Sequence, residues 1–109
     1  WASWCLPCLK SFPWLSDIQT KYRDKGLVIV GINMDKTPVD AEKFLKRVPH
    51  DFTIAYDPTG DAAKAYNLKT MPSSYLVNRQ GALILQHDGF RDTDKESLEA
   101  SILAALENK

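Results

Sequence analysis

Residues 1–15, WASWCLPCLKSFPWL, contain both cysteines of the 109-residue chain, Cys5 and Cys8. A pair with two intervening residues can be a structural disulfide, half of a metal site or a redox couple. A disulfide across so short a loop constrains the unfolded chain only weakly. A zinc site needs four ligands, and His50 and His87 are isolated candidates for the other two. The spacing, next to alternating helices and strands, favours the redox couple.

The composition narrows the classes of protein to which the chain can belong. Its length corresponds to about one domain, and 44% hydrophobic residues is ordinary for a globular protein. Lys+Arg and Asp+Glu both number 14, so the formal net charge is zero and no global basic field attracts nucleic acid. The longest apolar run, Leu27–Ile32, is too short to span a bilayer. We predict a single domain over residues 1–109 that binds no nucleic acid.

Apolar spacing and breaker residues predict the first two elements. Apolar residues three and four positions apart predict a helix over residues 5–24, which Pro13 should kink and Gly26 should end. The segment LVIVGINM, residues 27–34, is continuous, short and β-branched. That pattern is typical of a strand in a sheet covered on both faces.

The rest of the chain continues the alternation of helices and strands and finishes in a hairpin and a covering helix. Thr37 and Pro38 are suited to the start of the second helix, and Thr59 or Asp61 to capping the third. The remaining predicted elements are a helix over 39–48, a strand over 52–57, a helix over 61–66, strands over 73–78 and 82–87, and a helix over 92–107.

The two cysteines are predicted to have different roles because of their places in the first helix. Cys5 lies in its first turn, where unpaired N–H groups and the helix dipole favour a thiolate and lower the thiol pKa. Cys8 lies one turn further in and is less exposed. We therefore predict that Cys5 is the nucleophile, and that Cys8 resolves the mixed disulfide by attacking the Cys5 sulfur.

The residues around the cysteines are candidates for substrate binding. Pro7 fits an early helical position, where its missing N–H costs little. Leu6 is expected to be exposed and to contact partners, and Trp4 offers a flat apolar wall beside the sulfur or a simple surface anchor. Trp1 and Trp14 are predicted to be packing residues.

Three segments resemble one protein family. WASWCLPCLKSFPWL, VIVGINMD and AYDPTGDAAKAYNLKTMPSSYLVNRQGALI are similar to thioredoxin-fold thiol-disulfide oxidoreductases, in the branch that includes TlpA, ResA and the cytochrome c maturation reductases. The resemblance implies an α/β fold with a central mixed sheet flanked by helices on both faces. It also implies that Pro72 is a cis-proline lying against the cysteine pair. The Met71 backbone would then bind an extended segment of a partner protein.

The chain departs from the family pattern in two places. The family has another strand before the cysteines, so we expect WAS to be the end of a central strand whose N-terminal part is largely missing from this chain. Many members of the branch have a buried glutamate three residues after the second cysteine, where this chain has Ser11. Thioredoxin itself uses a buried aspartate upstream of its motif, at a position outside this chain.

The resemblance also implies an activity, partners and a compartment. We expect a monomeric reductant of protein disulfides, with apocytochrome c among the candidate substrates and a soluble or membrane-embedded thiol protein as electron donor. The cysteines carry the electrons, so no organic cofactor or metal is expected. The expected location is the bacterial periplasm or the outer face of a membrane, with the cytoplasm as the alternative. The alternative function is a non-catalytic binding or metal-delivery domain on the same fold. Copper-delivery relatives, however, use a longer cysteine spacing and a helper histidine.

Overall fold

The computed structural model describes residues 1–107, which fold into four α-helices and four strands. Residues 108–109 of the predicted domain lie outside the described residues. In chain order the elements are α1 Leu6–Tyr22, β1 Val30–Asn33, α2 Pro38–Arg47, β2 Thr53–Tyr56, α3 Asp61–Ala65, β3 Ser73–Val77, β4 Leu83–Asp88 and α4 Lys95–Glu107. The order of helices and strands is the predicted one.

Helix α1 carries the cysteine motif and has well-defined ends. Cys5 is its N-cap, and the helix continues through Pro13 before tightening into a 3₁₀ turn at Arg23–Lys25. Gly26 ends this turn with φ +105°, a left-handed conformation that glycine adopts without steric cost. The predicted stop at Gly26 is confirmed.

Two of the predicted helix caps differ from the structure. Thr37 precedes α2, but its side chain makes no capping hydrogen bond. The N-cap of α3 is Gly60, with φ +81°, rather than Thr59 or Asp61. The Asp57 carboxylate, three residues before Gly60, accepts the N–H of Ala63 at 3.0 Å instead.

The four strands form two separate pairs. Strands β1 and β2 pair in parallel, and β3 and β4 pair antiparallel. The central mixed sheet that the resemblance implies is present in part: both pairing directions occur, but within residues 1–107 an apolar cleft of about 590 Å³ lies between β1 and β3. Within residues 1–107 no strand lies between them, so their facing backbone edges are not joined. That an upstream strand completes the sheet stays a prediction.

The cleft also explains why the segment of residues 27–34, which includes β1, is less buried than predicted. Val28, Val30 and Ile32 line it and are 73%, 48% and 40% exposed. Asn33, at the end of the same strand, is completely buried. The expectation that residues 27–34 are covered on both faces is therefore wrong for the side chains that face the cleft.

An aromatic cluster packs α1 against Trp1, α2 and the residue before β2. The Phe12 ring lies 5.0 Å from Trp1, 5.2 Å from Phe44 and 5.1 Å from Phe52, each in edge-to-face geometry. Phe12 and Phe44 are both 1% exposed. Burying a side chain of this size contributes roughly 1.5–3 kcal/mol. The predicted packing role of Trp1 is confirmed, and the cluster holds the cysteine helix in place.

Candidate active site

The two cysteines lie at the start of α1 and are joined by a disulfide. Their Cα atoms are 5.3 Å apart. Cys5 has extended backbone angles, and its Sγ accepts the backbone N–H of Cys8 at 3.3 Å. Its carbonyl accepts the N–H of Leu9 at 3.1 Å, which starts the helical hydrogen bonding. The Cys5 sulfur therefore lies at the positive end of a 17-residue helix.

Exposure differs between the two cysteines and their neighbours. Cys5 is 6% exposed and Cys8 is completely buried. Trp4 and Leu6 are 72% and 60% exposed, and Pro7 is exposed as well. We call Trp4, Leu6 and Pro7 the apolar rim. Exposed apolar side chains in a contiguous patch indicate a surface that binds another molecule.

The loop before β3 contacts the cysteine cluster through Met71. The Met71–Pro72 peptide bond is cis. Met71 is half-buried and packs against the cluster of Ala2, Cys5 and Cys8. The Pro72 carbonyl accepts the N–H of Gly89 at 2.7 Å, which ties this loop to the segment after β4. The structure thus brings Met71 to the cysteine pair, although they are far apart in the sequence.

Ser11 lies directly beneath the motif. It is 5% exposed, and its hydroxyl donates to the Cys8 carbonyl at 2.7 Å. The side chain is neutral and engaged with the helix backbone, so it contributes hydrogen bonding at this position rather than charge.

Sequence reasoning missed a hydrogen-bonded network between the motif and the end of β1. The Asp35 carboxylate accepts the Ser3 N–H at 2.9 Å and the Ser3 hydroxyl at 2.8 Å. It also accepts the side-chain amide of Asn33 at 2.8 Å. Burial raises the pKa of Asp35, but the hydrogen bonds donated by Asn33 and Ser3 outweigh it and leave the pKa below 3.8. The sequence signal for this network was Asp35 two residues after Asn33 at the end of a predicted strand. Nothing in the sequence, however, connects Asp35 to Ser3.

Both histidines make their contacts away from the cysteine pair. His50 packs against Phe52 with ring centres 5.9 Å apart, and His87 lies 3.0 Å from the Asp94 carboxylate. In the part of the chain that the structure describes, no group of three or more histidine, cysteine or acidic side chains is placed to hold a metal ion. Among residues 1–107, no helix has the length and apolar character needed to cross a membrane.

The chain matches a known protein family and a curated relative over most of its length. The Redoxin family profile matches residues 1–102. The thiol-disulfide oxidoreductase ResA of Bacillus thuringiensis subsp. konkukian is 32% identical over 99 residues, which cover 91% of this chain and 56% of that protein. The chain therefore spans about half the length of this curated relative.

Two solved structures are similar over nearly the whole chain. A Chlorobium tepidum protein assigned as thiol:disulfide interchange protein DsbE is 53% identical with a TM-score of 0.96, covering 97% of this chain and 75% of that one. StoA from Bacillus subtilis is 27% identical with a TM-score of 0.77, covering 92% and 75%. The thioredoxin-like α/β fold and the resemblance to the ResA branch are confirmed.

Proposed function

The chain belongs to the Redoxin family, and on that premise we propose that the whole protein is a thiol-disulfide oxidoreductase that reduces disulfides in other proteins. The observation that carries the proposal is the Cys5–Cys8 disulfide at the start of α1, with the Cys5 sulfur at the helix N-cap. Thiolates are the attacking species in disulfide exchange, and a helix N-terminus stabilises a thiolate. Support also comes from relatives named as thiol-disulfide oxidoreductases.

The proposed reaction begins with both cysteines reduced. The Cys5 thiolate attacks one sulfur of a partner disulfide, forms a mixed disulfide and releases the other partner sulfur as a thiolate. Cys8, after losing its proton, attacks the Cys5 sulfur and releases the second partner thiolate. The partner gains two electrons, and the Cys5–Cys8 disulfide observed here forms. A thiol protein, soluble or membrane-embedded, returns the pair to its reduced state by the same exchange.

The surroundings of the pair support a protein as the partner. The apolar rim offers exposed contact area beside Cys5. Met71 packs against the cluster of Ala2, Cys5 and Cys8, and we propose that its backbone pairs with an extended partner segment. We propose that Trp4, Leu6, Pro7, Met71 and the cis Pro72 form the substrate-binding surface. The electrons stay in the two sulfurs, so the proposed cycle uses no organic cofactor or metal.

Reduction of insulin disulfides with dithiothreitol as reductant tests the activity. We expect turnover by the wild-type protein and none by Cys5→Ser. The Cys8→Ser variant should accumulate a mixed disulfide through Cys5, because the resolving sulfur is missing. If only the Cys5→Ser variant traps a partner, through Cys8, the two roles are reversed. Absence of turnover together with tight copper binding would replace the proposal with a metal-delivery function.

Substrate and compartment are finer parts of the proposal. Apocytochrome c is the proposed substrate, and the proposed location is outside the cytoplasm, where disulfides in partner proteins persist. An oxidised peptide with the haem-attachment spacing Cys-x-x-Cys-His should be reduced faster than a peptide with longer cysteine spacing. Equal rates would remove apocytochrome c as the preferred substrate.

In intact cells that express the natural full-length protein, a membrane-impermeant maleimide should label Cys5, and labelling only after lysis would place the protein in the cytoplasm.

A further inference from the structure

The short turn before α1 determines where the Cys5 sulfur lies. Trp1 pairs with the end of β1, because its carbonyl accepts the Met34 N–H at 2.8 Å. The chain then turns within residues 2–5, where the Cys5 N–H donates to the Ala2 carbonyl at 3.1 Å. Ala2 is completely buried. Cys5 follows this turn directly, so its place at the helix start depends on how firmly the turn is held.

The Asp35 carboxylate, which follows β1, holds the turn of residues 2–5 through hydrogen bonds. Both oxygens of Asp35 bind Ser3, one through the backbone N–H at 2.9 Å and the other through the hydroxyl at 2.8 Å. The side chain of Asn33 donates to the same carboxylate, and its own oxygen accepts the Asp35 N–H at 3.0 Å. Asp35 is 7% exposed and Asn33 is completely buried. Hydrogen bonds to an ionised group in such a setting are stronger and more directional than neutral ones.

We propose that Asp35 is a positioning residue for the Cys5 sulfur, acting through Ser3 to keep the turn of residues 2–5 against the end of β1. This inference rests on the proposed thiol chemistry of Cys5 and goes beyond it by naming the group that places the sulfur. Without the Asp35 anchor the turn relaxes, and the sulfur loses the Cys8 N–H and the full effect of the helix dipole. The thiolate of reduced Cys5 is then less stable.

The direction in which the ionisation pH of Cys5 shifts distinguishes a positioning role of Asp35 from a purely electrostatic one. A carboxylate acting on Cys5 by charge alone disfavours the thiolate, so its removal would lower the pH at which Cys5 ionises. A carboxylate acting by position favours the thiolate, so its removal raises that pH. Asp35→Asn keeps the shape, since the amide oxygen can accept from the Ser3 and Asn33 N–H groups while the amide nitrogen donates to the Ser3 hydroxyl. Asp35→Ala removes the anchor completely.

Asp57 provides a matched control. It is also 7% exposed and also lies just after a strand, but its carboxylate accepts the N–H of Ala63 in α3 rather than a group in the cysteine turn. Asp57→Ala therefore removes a buried carboxylate of equal exposure without disturbing the Ser3 anchor. A general loss of stability affects both variants, whereas a change in Cys5 ionisation is expected only in Asp35→Ala.

The experiment measures the rate of Cys5 alkylation by iodoacetamide against pH in the reduced protein, together with the glutathione redox equilibrium. For Asp35→Ala we expect the pH midpoint of alkylation to rise by about one unit. At a pH below the midpoint, this means about a tenfold smaller fraction of Cys5 thiolate. Asp57→Ala should keep the wild-type midpoint, and Asp35→Asn, which keeps the anchor and loses the charge, should not raise it. Ser3→Ala, which loses one of the two bonds to Asp35, should give a smaller rise.

An unchanged or lowered midpoint in Asp35→Ala overturns the inference. If Asp35→Ala fails to fold, Ser3→Ala decides: a raised midpoint supports the inference, and an unchanged one overturns it. The assay uses no protein substrate, so it separates this inference from the proposed function. A wild-type protein that does not reduce insulin but shows the Asp35→Ala shift refutes the proposed activity and leaves the positioning role in place.

Discussion

Replacing Phe12 with alanine tests how much of the stability depends on the aromatic cluster beneath the cysteines. The Phe12 ring is 1% exposed and makes edge-to-face contacts with Trp1, Phe44 and Phe52. Truncating a buried phenylalanine typically costs about 3–5 kcal/mol, because the removed surface loses its burial and a cavity remains. The three neighbouring rings place Phe12→Ala near the middle or top of that range. We expect a loss of about 4 kcal/mol in the free energy of unfolding.

Urea unfolding followed by tryptophan fluorescence and circular dichroism measures this loss. With a denaturant dependence of about 2 kcal/mol per molar, the midpoint should fall by about 2 M. A loss of about 4 kcal/mol is about a quarter or more of the roughly 5–15 kcal/mol that stabilises an ordinary domain. Trp4→Ala is the control, since it removes a larger ring that is 72% exposed and should cost less than about 0.5 kcal/mol.

Two results would refute this reasoning. A midpoint that falls by less than about 0.5 M in Phe12→Ala, with an unchanged slope, means that the cluster is not closely packed. An equal loss in Phe12→Ala and Trp4→Ala means that ring size, rather than burial, determines the cost.

Three further predictions concern the backbone and the buried carboxylate. Gly31→Ala places a Cβ 2.8 Å from the Phe52 ring, so urea unfolding should show a loss of about 1–3 kcal/mol; a loss under about 0.5 kcal/mol would contradict the close packing. Gly26→Ala puts a side chain at φ +105° and should cost about 1 kcal/mol in the same assay, and a stabilised variant would contradict the strain argument. The pKa of Asp35 is lower in the folded chain than its ordinary 3.8, so its contribution to stability is present above that pH and is lost as pH falls through the folded value. Stability measured against pH should therefore fall less steeply in acid for Asp35→Asn than for wild type, and identical slopes would refute the link.

Local sequence signals predicted the start of the molecule well. The Cys-x-x-Cys spacing, the apolar periodicity and Gly26 indicated a helix that begins at the cysteines and ends near residue 24, and α1 covers Leu6–Tyr22. The predicted hairpin joins β3 to β4, and Gly81 has φ +85° in its turn. These features depend on residues a few positions apart, so the sequence contains the information directly. The roles of Cys5 and Cys8 in exchange stay predictions that the trapping experiment tests.

Contacts between distant segments could not be derived from local patterns. Ser3 and Asp35 are 32 positions apart, and each alone looks like an ordinary turn residue. The apolar run of residues 27–34 predicted a strand covered on both faces, yet Val30 and Ile32 line an open cleft. The pairing of strands into two separate sheets likewise depends on which backbone edges meet in space.

By itself, the sequence determined that a helix begins at the cysteine pair, because helix starts, stops and turns are set by near neighbours along the chain. Only the tertiary structure showed that Asp35 binds Ser3 in the turn before that helix, whereas the place of the Met71–Pro72 loop beside the cysteines was implied by the family resemblance alone. Folding brings these residues together although long stretches of sequence separate them. A hydrogen bond or van der Waals contact depends on distances in space, which local sequence spacing does not specify.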